Sequence, residues 1–484
     1  MTAQICSSEV VIVGQHVKWE KRVQVDAACL VCGNPAGNAL VLSAMHWRPE
    51  RGQMRLLECA RCRSCFYPDA AELNSDYPSL ESVLADPDFP ILVHHYLEIV
   101  GGLDWKVWLL EQLPFEQFST VLEVGCNAGV TLDYCRLQWG ADVVGLEPSA
   151  YGVVGGEMLE LPILPKYMSK AEELSGRTFD FIYATEVLEH VPDPAGFLRE
   201  LRSFLAPGGV LLLTTPRSGA VSRATPVGQL YAALSPGSHY FLLSPNSLRA
   251  LLEGAGFSFV EITDFGMTNV ALASDADLVR QACPDVAERL KEYYAKALDR
   301  GGERVRLGNL INYYVFASRC GEFDPHREFA ARIDSDLDRL FGIDLRNPES
   351  LIDAVLNAGG LVDFGKVMPY ALPFFLEQRA RNESSNPVLE EEIKALAALL
   401  MARGLQIDFQ NLFVYHEAFE RCWRGSLPRS SRAIALHAVT RDMVDKVPEL
   451  AAASRGFVAR VRRKVARVAE GIMRQPLSLM KFVD

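Results

Sequence analysis

The chain has 484 residues, 49% hydrophobic and 23% charged, with a formal net charge of -12 at pH 7. That length predicts two or three domains with ample apolar material for their cores. The acidic balance argues against a nucleic-acid partner, which is held by surplus Lys and Arg, and suits a small or glycan-like substrate better.

At the N-terminus, the short apolar run Val10 to Val13 has neither the basic flank nor the small-residue cleavage site of an export signal. No apolar run along the chain reaches membrane-spanning length. The expectation is a cytoplasmic protein whose eleven cysteines are thiols or metal ligands. Five of them cluster, as ACLVCG around Cys29 and Cys32 and ECARCRSCF around Cys59, Cys62 and Cys65. Two CxxC hooks suit tetrahedral zinc, because each presents two thiolates to one side of the ion and two hooks close its shell. Cys29, Cys32, Cys59 and Cys62 are the preferred ligands; Cys62 with Cys65 is an alternative second hook, and buried free thiols are the plain alternative to a metal site. Residues 1–85 are therefore read as a small zinc-ribbon-like module.

Short apolar runs then alternate with amphipathic segments, which is how a doubly wound α/β sheet reads. Strands are predicted at TVLEVG (120), DVVGLEP (142), FDFIYAT (179), GVLLLTTP (209), FSFVEIT (257) and INYYVFAS (311). Helices are predicted at VTLDYCRLQWG, closed by Gly140, and at SPNSLRALLEGAGF, closed by Gly254 and Gly256. A further helix is predicted within 274–300. The Ser-, Gly-, Ala- and Pro-rich section from Arg217 to Gly237 reads as a mobile lid over an acceptor. The α/β domain is placed at 86–320. Beyond it helical signals dominate, so 321–484 is read as a helical C-terminal domain.

The first strand runs into VLEVGCNAGV, a turn that exposes backbone N–H groups and permits close approach. The dinucleotide spacing GxGxxG is missing, which disfavours a nicotinamide oxidoreductase; Gly125, Asn127 and Gly129 occupy a GxGxG turn, with Glu123 in the strand. This resembles class I S-adenosylmethionine-dependent methyltransferases. DVVGLEPS, FDFIYATEVLEHVPDPAGFLRELRSFLAPGGVLLLTTP and GSHYFLLSPNSLRALLEGAGF follow in that family's order, over roughly residues 119 to 266. The resemblance implies a Rossmann-like methyltransferase sheet, with S-adenosyl-L-methionine at the glycine turn. It implies that Glu147 accepts from the ribose hydroxyls and that Glu123 lies by the cofactor's cationic amino-acid end. Gly125 and Gly129 turn the chain without a Cβ, and Asn127, where a glycine is usual, tolerates left-handed φ. Ala171 and Glu172, in AEEL, match the position of adenine contacts.

In EVLEH, Glu186, Glu189 and His190 stand at i, i+3 and i+4, one face if the segment is helical. The resemblance extends here to ubiquinone-biosynthesis O-methyltransferases, where such a trio lies near the acceptor, in some cases around a divalent metal; Glu186 is counted with the cofactor-binding residues. For transfer to oxygen a base must take a proton, and His190 and His239 are the candidates.

Near the C-terminus, Val458, Val461, Val465, Val468 and Ile472 form a narrow apolar stripe, with Arg460, Arg463, Lys464 and Arg467 off it. Such a helix can lie on an anionic membrane surface or pack against another helix. The function expected is methyl transfer to a small-molecule acceptor, a hydroxyl of a sugar or glycan precursor being preferred from the likeness of the zinc-hook arrangement to bacterial sugar-modifying enzymes. A catalytically idle, partner-binding scaffold is the alternative.

Overall fold

The computed structural model describes residues 17–73, 78–99, 103–114, 118–225, 227–278, 280–282, 285–322, 326–382, 385–412, 414–424 and 430–444. The stripe from Val458 to Ile472 lies outside them. The described residues divide into two compact units, one drawn from 17–86 and 109–282, the other from 87–108 and 285–444.

The first unit begins with five short strands: β1 (Val17–Trp19), β2 (Gln24–Val25), β3 (Asn38–Met45), β4 (Gln53–Glu58) and β5 (Cys65–Phe66). β3 pairs antiparallel with β1, β2 and β4, and β4 with β5. Both cysteine hooks are tight turns closed by backbone bonds: Gly33 N donates to Cys29 O at 2.9 Å and Arg63 N to Cys59 O at 3.1 Å. Gly33 and Arg63 occupy the left-handed region that such closure requires.

The apolar runs that follow form β6 (Thr120–Val124), β7 (Asp142–Leu146), β8 (Ile163–Leu164), β9 (Phe179–Thr185) and β10 (Leu205–Pro216), which are mutually parallel. β11 (Phe241–Leu242), β12 (Phe259–Phe265) and β13 (Thr268–Ser274) complete the strands. The large sheet runs β12-β13-β10-β9-β6-β7-β8, with β13 antiparallel to both neighbours. The direction of winding reverses between β6 and β9, and ligands bind in α/β sheets beyond the strand ends at such a switch. β11 belongs to the other sheet. It pairs antiparallel with β5, Phe241 against Phe66 and Leu242 against Cys65, so the cysteine module and the doubly wound sheet share one unit. Leu57, Cys59 and Phe66 pack in the same apolar core as Leu122, Leu211 and Leu248.

Two expectations are corrected in this region. The section from Arg217 to Gly237 contains the helix Val227–Leu234, whose Leu230 and Leu234 are buried against Leu42 and Leu56 of the module. Its small residues permit close packing, so it is a wall of the unit. The last sheet strand is β13, joined to β12 by the two-residue turn Gly266–Met267.

INYYVFAS is the interior of the helix Glu303–Arg319, in the second unit. Its aromatic and β-branched residues resemble a strand, but Leu310, Ile311, Tyr314, Val315 and Phe316 are all buried, and a helix buried on several faces loses the apolar period that identifies it. The compact units accordingly divide near residue 283 rather than at 320. No described helix is long and apolar enough to cross a membrane.

The helical unit is organised around Glu98, at the end of the helix Phe89–Glu98 and fully buried. Its carboxylate accepts from Arg304 Nε at 2.6 Å and Tyr370 N at 2.5 Å, and its carbonyl from Asn312 Nδ2 at 2.8 Å. Three separate segments meet there. Arg304→Ala leaves a buried carboxylate without its cation, and is expected to destabilise this unit by about 3–5 kcal/mol in denaturant unfolding; a loss below about 1 kcal/mol contradicts this role.

Candidate functional site

The turn after β6 is built from left-handed residues: Gly125 at φ 73°, Asn127 at 49° and Gly129 at 82°. Asn127 supports its own conformation, its Oδ1 accepting from Ala128 N at 2.6 Å. Neighbouring elements close in tightly. A Cβ on Gly125 would stand 2.4 Å from Val187 Cγ2, and one on Gly155, in the helix Ala150–Leu159, 2.5 Å from the Ala128 backbone. Glu147, just past the end of β7, reaches back to this turn: its Oε2 accepts from Asn127 N at 3.1 Å and its Oε1 from Ser149 N at 2.9 Å. Each carboxylate oxygen has a second lone pair, so a diol can be bound without undoing these contacts. Glu123 is buried at the end of β6. The switch point thus offers a narrow turn, a carboxylate at its rim and another carboxylate beneath it, which suits a ligand with a ribose and a positive charge.

A second cluster lies beyond the ends of β9 and β10. Thr214 donates to Glu186 Oε1 and Thr215 to Glu189 Oε2, each at 2.9 Å. EVLEH is no regular helix: Glu186 has φ 53° and only Leu188–His190 form a 3-10 turn, because Glu186 N bonds to Thr214 O in the sheet instead of starting a helical ladder. The one-face argument therefore fails for Glu186, while Glu189 and His190 still converge, with His239. Glu189 is fully buried, 3.8 Å from His239 Nε2, and the His190 and His239 rings meet edge-on at 4.7 Å.

The ring hydrogen bonds assign the tautomers. His190 Nδ1 lies 3.0 Å from Ser238 O and His239 Nδ1 3.0 Å from Ala233 O. A carbonyl only accepts, so each Nδ1 carries the hydrogen and each Nε2 offers a lone pair. Burial, with the Glu186 charge adding to it, pushes the Glu189 carboxyl well above the carboxylate range. Burial and then the neighbouring His190 hold His239 well below the usual imidazole value. Surrounding protein lowers His190 as well, although its outer edge is exposed. The surroundings thus favour the neutral form of all three groups. One donor atom from each of Glu189, His190 and His239 lies within 4.8 Å of the others, a spacing at which a divalent cation can be drawn in.

The sulfurs of Cys29, Cys32, Cys59 and Cys62 also lie within 4.8 Å of one another, with Cys29 to Cys62 at 3.8 Å and Cys32 to Cys59 at 3.6 Å. A tetrahedron with Zn–S bonds of about 2.3 Å has edges of about 3.8 Å, so the four fit the ion. Cys65 stands outside the group, in β5. Asn38 ties the hooks together: its Nδ2 donates to Ala27 O at 2.7 Å and its Oδ1 accepts from Ala60 N at 3.0 Å. Behind the second hook, Ser244, the N-cap of the helix Pro245–Gly254, donates to Cys62 O at 2.7 Å, and Ser64 Oγ donates to Ser247 Oγ at 3.0 Å.

The structure therefore gathers Gly125, Asn127, Gly129 and Glu147 at one place and His190 and His239 at another, with Glu189 beside the histidines and Glu186 held by Thr214. Ala171 is buried in the sheet core and Glu172 is exposed at the start of a 3-10 turn. Sequence reasoning missed Thr214, Thr215, Asn38 and the three serines. Two consecutive threonines ending the otherwise aliphatic run VLLLTTP were the available signal for the first pair.

A methyltransferase domain family model matches residues 97–262. The ubiquinone biosynthesis O-methyltransferase of Xanthomonas euvesicatoria is 34% identical over 156 residues, 30% of this chain; the chain spans 65% of the length of that protein. The protein of that name from Pseudomonas paraeruginosa is 33% identical over 178 residues, 33% of this chain and 75% of its own length. Human N-acetylserotonin methyltransferase, solved with SAM, is 16% identical at a TM-score of 0.35, over 43% of this chain and 64% of that one, a likeness too slight to carry weight. With the glycine turn, the strand-end carboxylate and the sheet order already in place, the match to the Pseudomonas protein, three quarters of which the chain covers, settles the family: the chain belongs to the methyltransferase domain family.

Proposed function

We propose that this protein transfers the methyl group of S-adenosylmethionine to a hydroxyl oxygen of a small molecule. The observation that carries the proposal is Glu147, poised over a left-handed glycine turn at the switch point while two neutral imidazoles stand beyond the neighbouring strand ends. When bound, S-adenosylmethionine supplies an electrophilic methyl group on a sulfonium, which departs as a neutral thioether. Glu147 would hold its ribose hydroxyls, and Glu123 and Glu186 would favour its positive end. Ala171 and Glu172 would border its adenine. His190 or His239 takes the proton from the acceptor oxygen at Nε2 as the new C–O bond forms, and the carbonyl of Ser238 or Ala233 stabilises the imidazolium through Nδ1–H. A sugar hydroxyl is one acceptor of this kind. The relatives named for ubiquinone biosynthesis recommend a hydroxylated aromatic ring beside it in any substrate panel.

Calorimetry tests the cofactor half. S-adenosylhomocysteine is expected to bind the wild type, and Glu147→Ala to weaken that binding by about 10-fold or more, as the loss of charge-assisted hydrogen bonds predicts. Binding of NADH but of neither sulfur ligand contradicts the proposal, and binding without turnover on any acceptor favours the scaffold alternative.

The base is tested by His190→Ala and His239→Ala. Removal of the true base is expected to lower kcat by about 10²–10⁴ while leaving cofactor affinity nearly unchanged. Because both imidazoles are held below the ordinary value of about 6.5, wild-type turnover should persist down to that pH and fall only in more acid solution. A fall beginning above pH 7, or near-normal kcat in both variants, overturns this assignment. A second reading, a divalent cation in place of the proton, is favoured by the convergence of Glu189, His190 and His239; loss of turnover on chelation and its recovery with Mg²⁺ would select it.

We further propose structural zinc on Cys29, Cys32, Cys59 and Cys62. Elemental analysis is expected to give one zinc per chain, and Cys29→Ser to release it and lower the thermal stability of the first unit. A wild type that contains no zinc and is equally stable contradicts the proposal.

A further inference from the structure

We propose that His46, in the N-terminal module, is a positioning residue that sets the loop holding His190 and His239. The inference rests on the proposed role of those two histidines. His46 follows β3 and is 1% exposed. Its Nδ1 accepts from Arg48 N at 2.8 Å, so the ring hydrogen sits on Nε2. That Nε2 is buried and has no hydrogen-bond partner among the described residues. Such an orientation carries a desolvation cost, and what it faces is Gly237: a Cβ there would lie 2.2 Å from His46 Nε2. The imidazole edge therefore packs directly on the glycine backbone.

Gly237 is the middle of the segment Ser235–His239, in which Ser235 has φ 31° and Gly237 φ 93°. Ser238 N and His239 N both donate to Ser235 O, at 2.9 and 3.1 Å. Ser238 O is the acceptor that orients His190, and Ala233 O, just before the turn, orients His239. The residues next to His46 hold this segment and the helix before it: Trp47 N donates to Pro236 O at 3.0 Å, and Met45 O accepts at 3.1 Å from Tyr231 OH, in the helix Val227–Leu234. A shift of the His46 ring therefore moves the carbonyls that fix both catalytic tautomers. This gives the cysteine module a part in the chemistry although it supplies no reacting group.

The test uses the full chain with His46→Ala, Gly237→Ala and the double variant. Selective ¹⁵N labelling of histidine reads the ring resonances of His190 and His239 without substrate, and steady-state kinetics with calorimetry reads kcat and S-adenosylhomocysteine affinity. His46→Ala is expected to shift both sets of resonances and to lower kcat by about 10- to 100-fold, as a small misplacement of catalytic groups does, with cofactor affinity changed less than about twofold. Gly237→Ala is expected to do the same. The double variant should be no worse than the more damaged single one, because both break one contact. If His46→Ala does not fold, His46→Phe keeps the ring volume but loses the Arg48 bond, and is expected to shift the same resonances. Unchanged His190 and His239 resonances in the folded variants, or fully additive losses, overturn the proposal. A wild type that shows no methyl transfer sinks the functional reading instead, and the resonances still decide the positioning role.

Discussion

The pairing of Phe241 and Leu242 with Phe66 and Cys65 is the constraint on which the rest of the first unit depends. A two-residue strand borrowed from the α/β region completes the module's sheet and leaves the module no independent edge there. The segments on either side are then fixed at both ends. Upstream, the Ser235–His239 turn is held against His46 and Trp47, and Tyr231 of the preceding helix donates to Met45 O. Downstream, the N-cap Ser244 and its neighbour Ser247 are locked to Cys62 and Ser64. One short stretch of chain thus links the surroundings of His190 and His239 to the cysteine hooks.

The two halves of the proposed site use opposite electrostatics. At the glycine turn, Glu147 is partly solvent-exposed and accepts from two backbone N–H groups. Beyond β9 and β10, burial favours neutral forms of Glu189, His190 and His239. A cationic cofactor and a proton-accepting base need this division, since an imidazolium beside a sulfonium would repel it and could accept nothing.

Much of the sheet was legible because its central strands are buried and apolar and its strands are bounded by turn residues. TVLEVG, DVVGLEP, FDFIYAT, GVLLLTTP and the Val-Glu-Ile core of FSFVEIT all appear as strands close to their expected bounds. The glycine turn was legible through Gly125 and Gly129, since left-handed backbone restricts the choice of residue. What failed did so where local pattern and tertiary context disagree. The INYYVFAS helix is buried on several faces, so its period vanished. EVLEH carries helical spacing, but the sheet bond from Glu186 N to Thr214 O prevents the helix. The roles of Asn38 and His46 depend on neighbours 11 to 191 residues away, a relation that no single stretch of sequence displays.

The central claim is that methyl transfer occurs from the glycine-turn site to an oxygen positioned by the histidine cluster. Incubating the intact protein with S-adenosylmethionine carrying a ¹³C methyl group and a panel of hydroxylated aromatic and sugar compounds, then locating the label by NMR, tests it most directly. The expected product carries the labelled methyl on oxygen and forms with an equal amount of S-adenosylhomocysteine. Label on carbon or nitrogen, or no transfer from a protein that binds the cofactor, would contradict it.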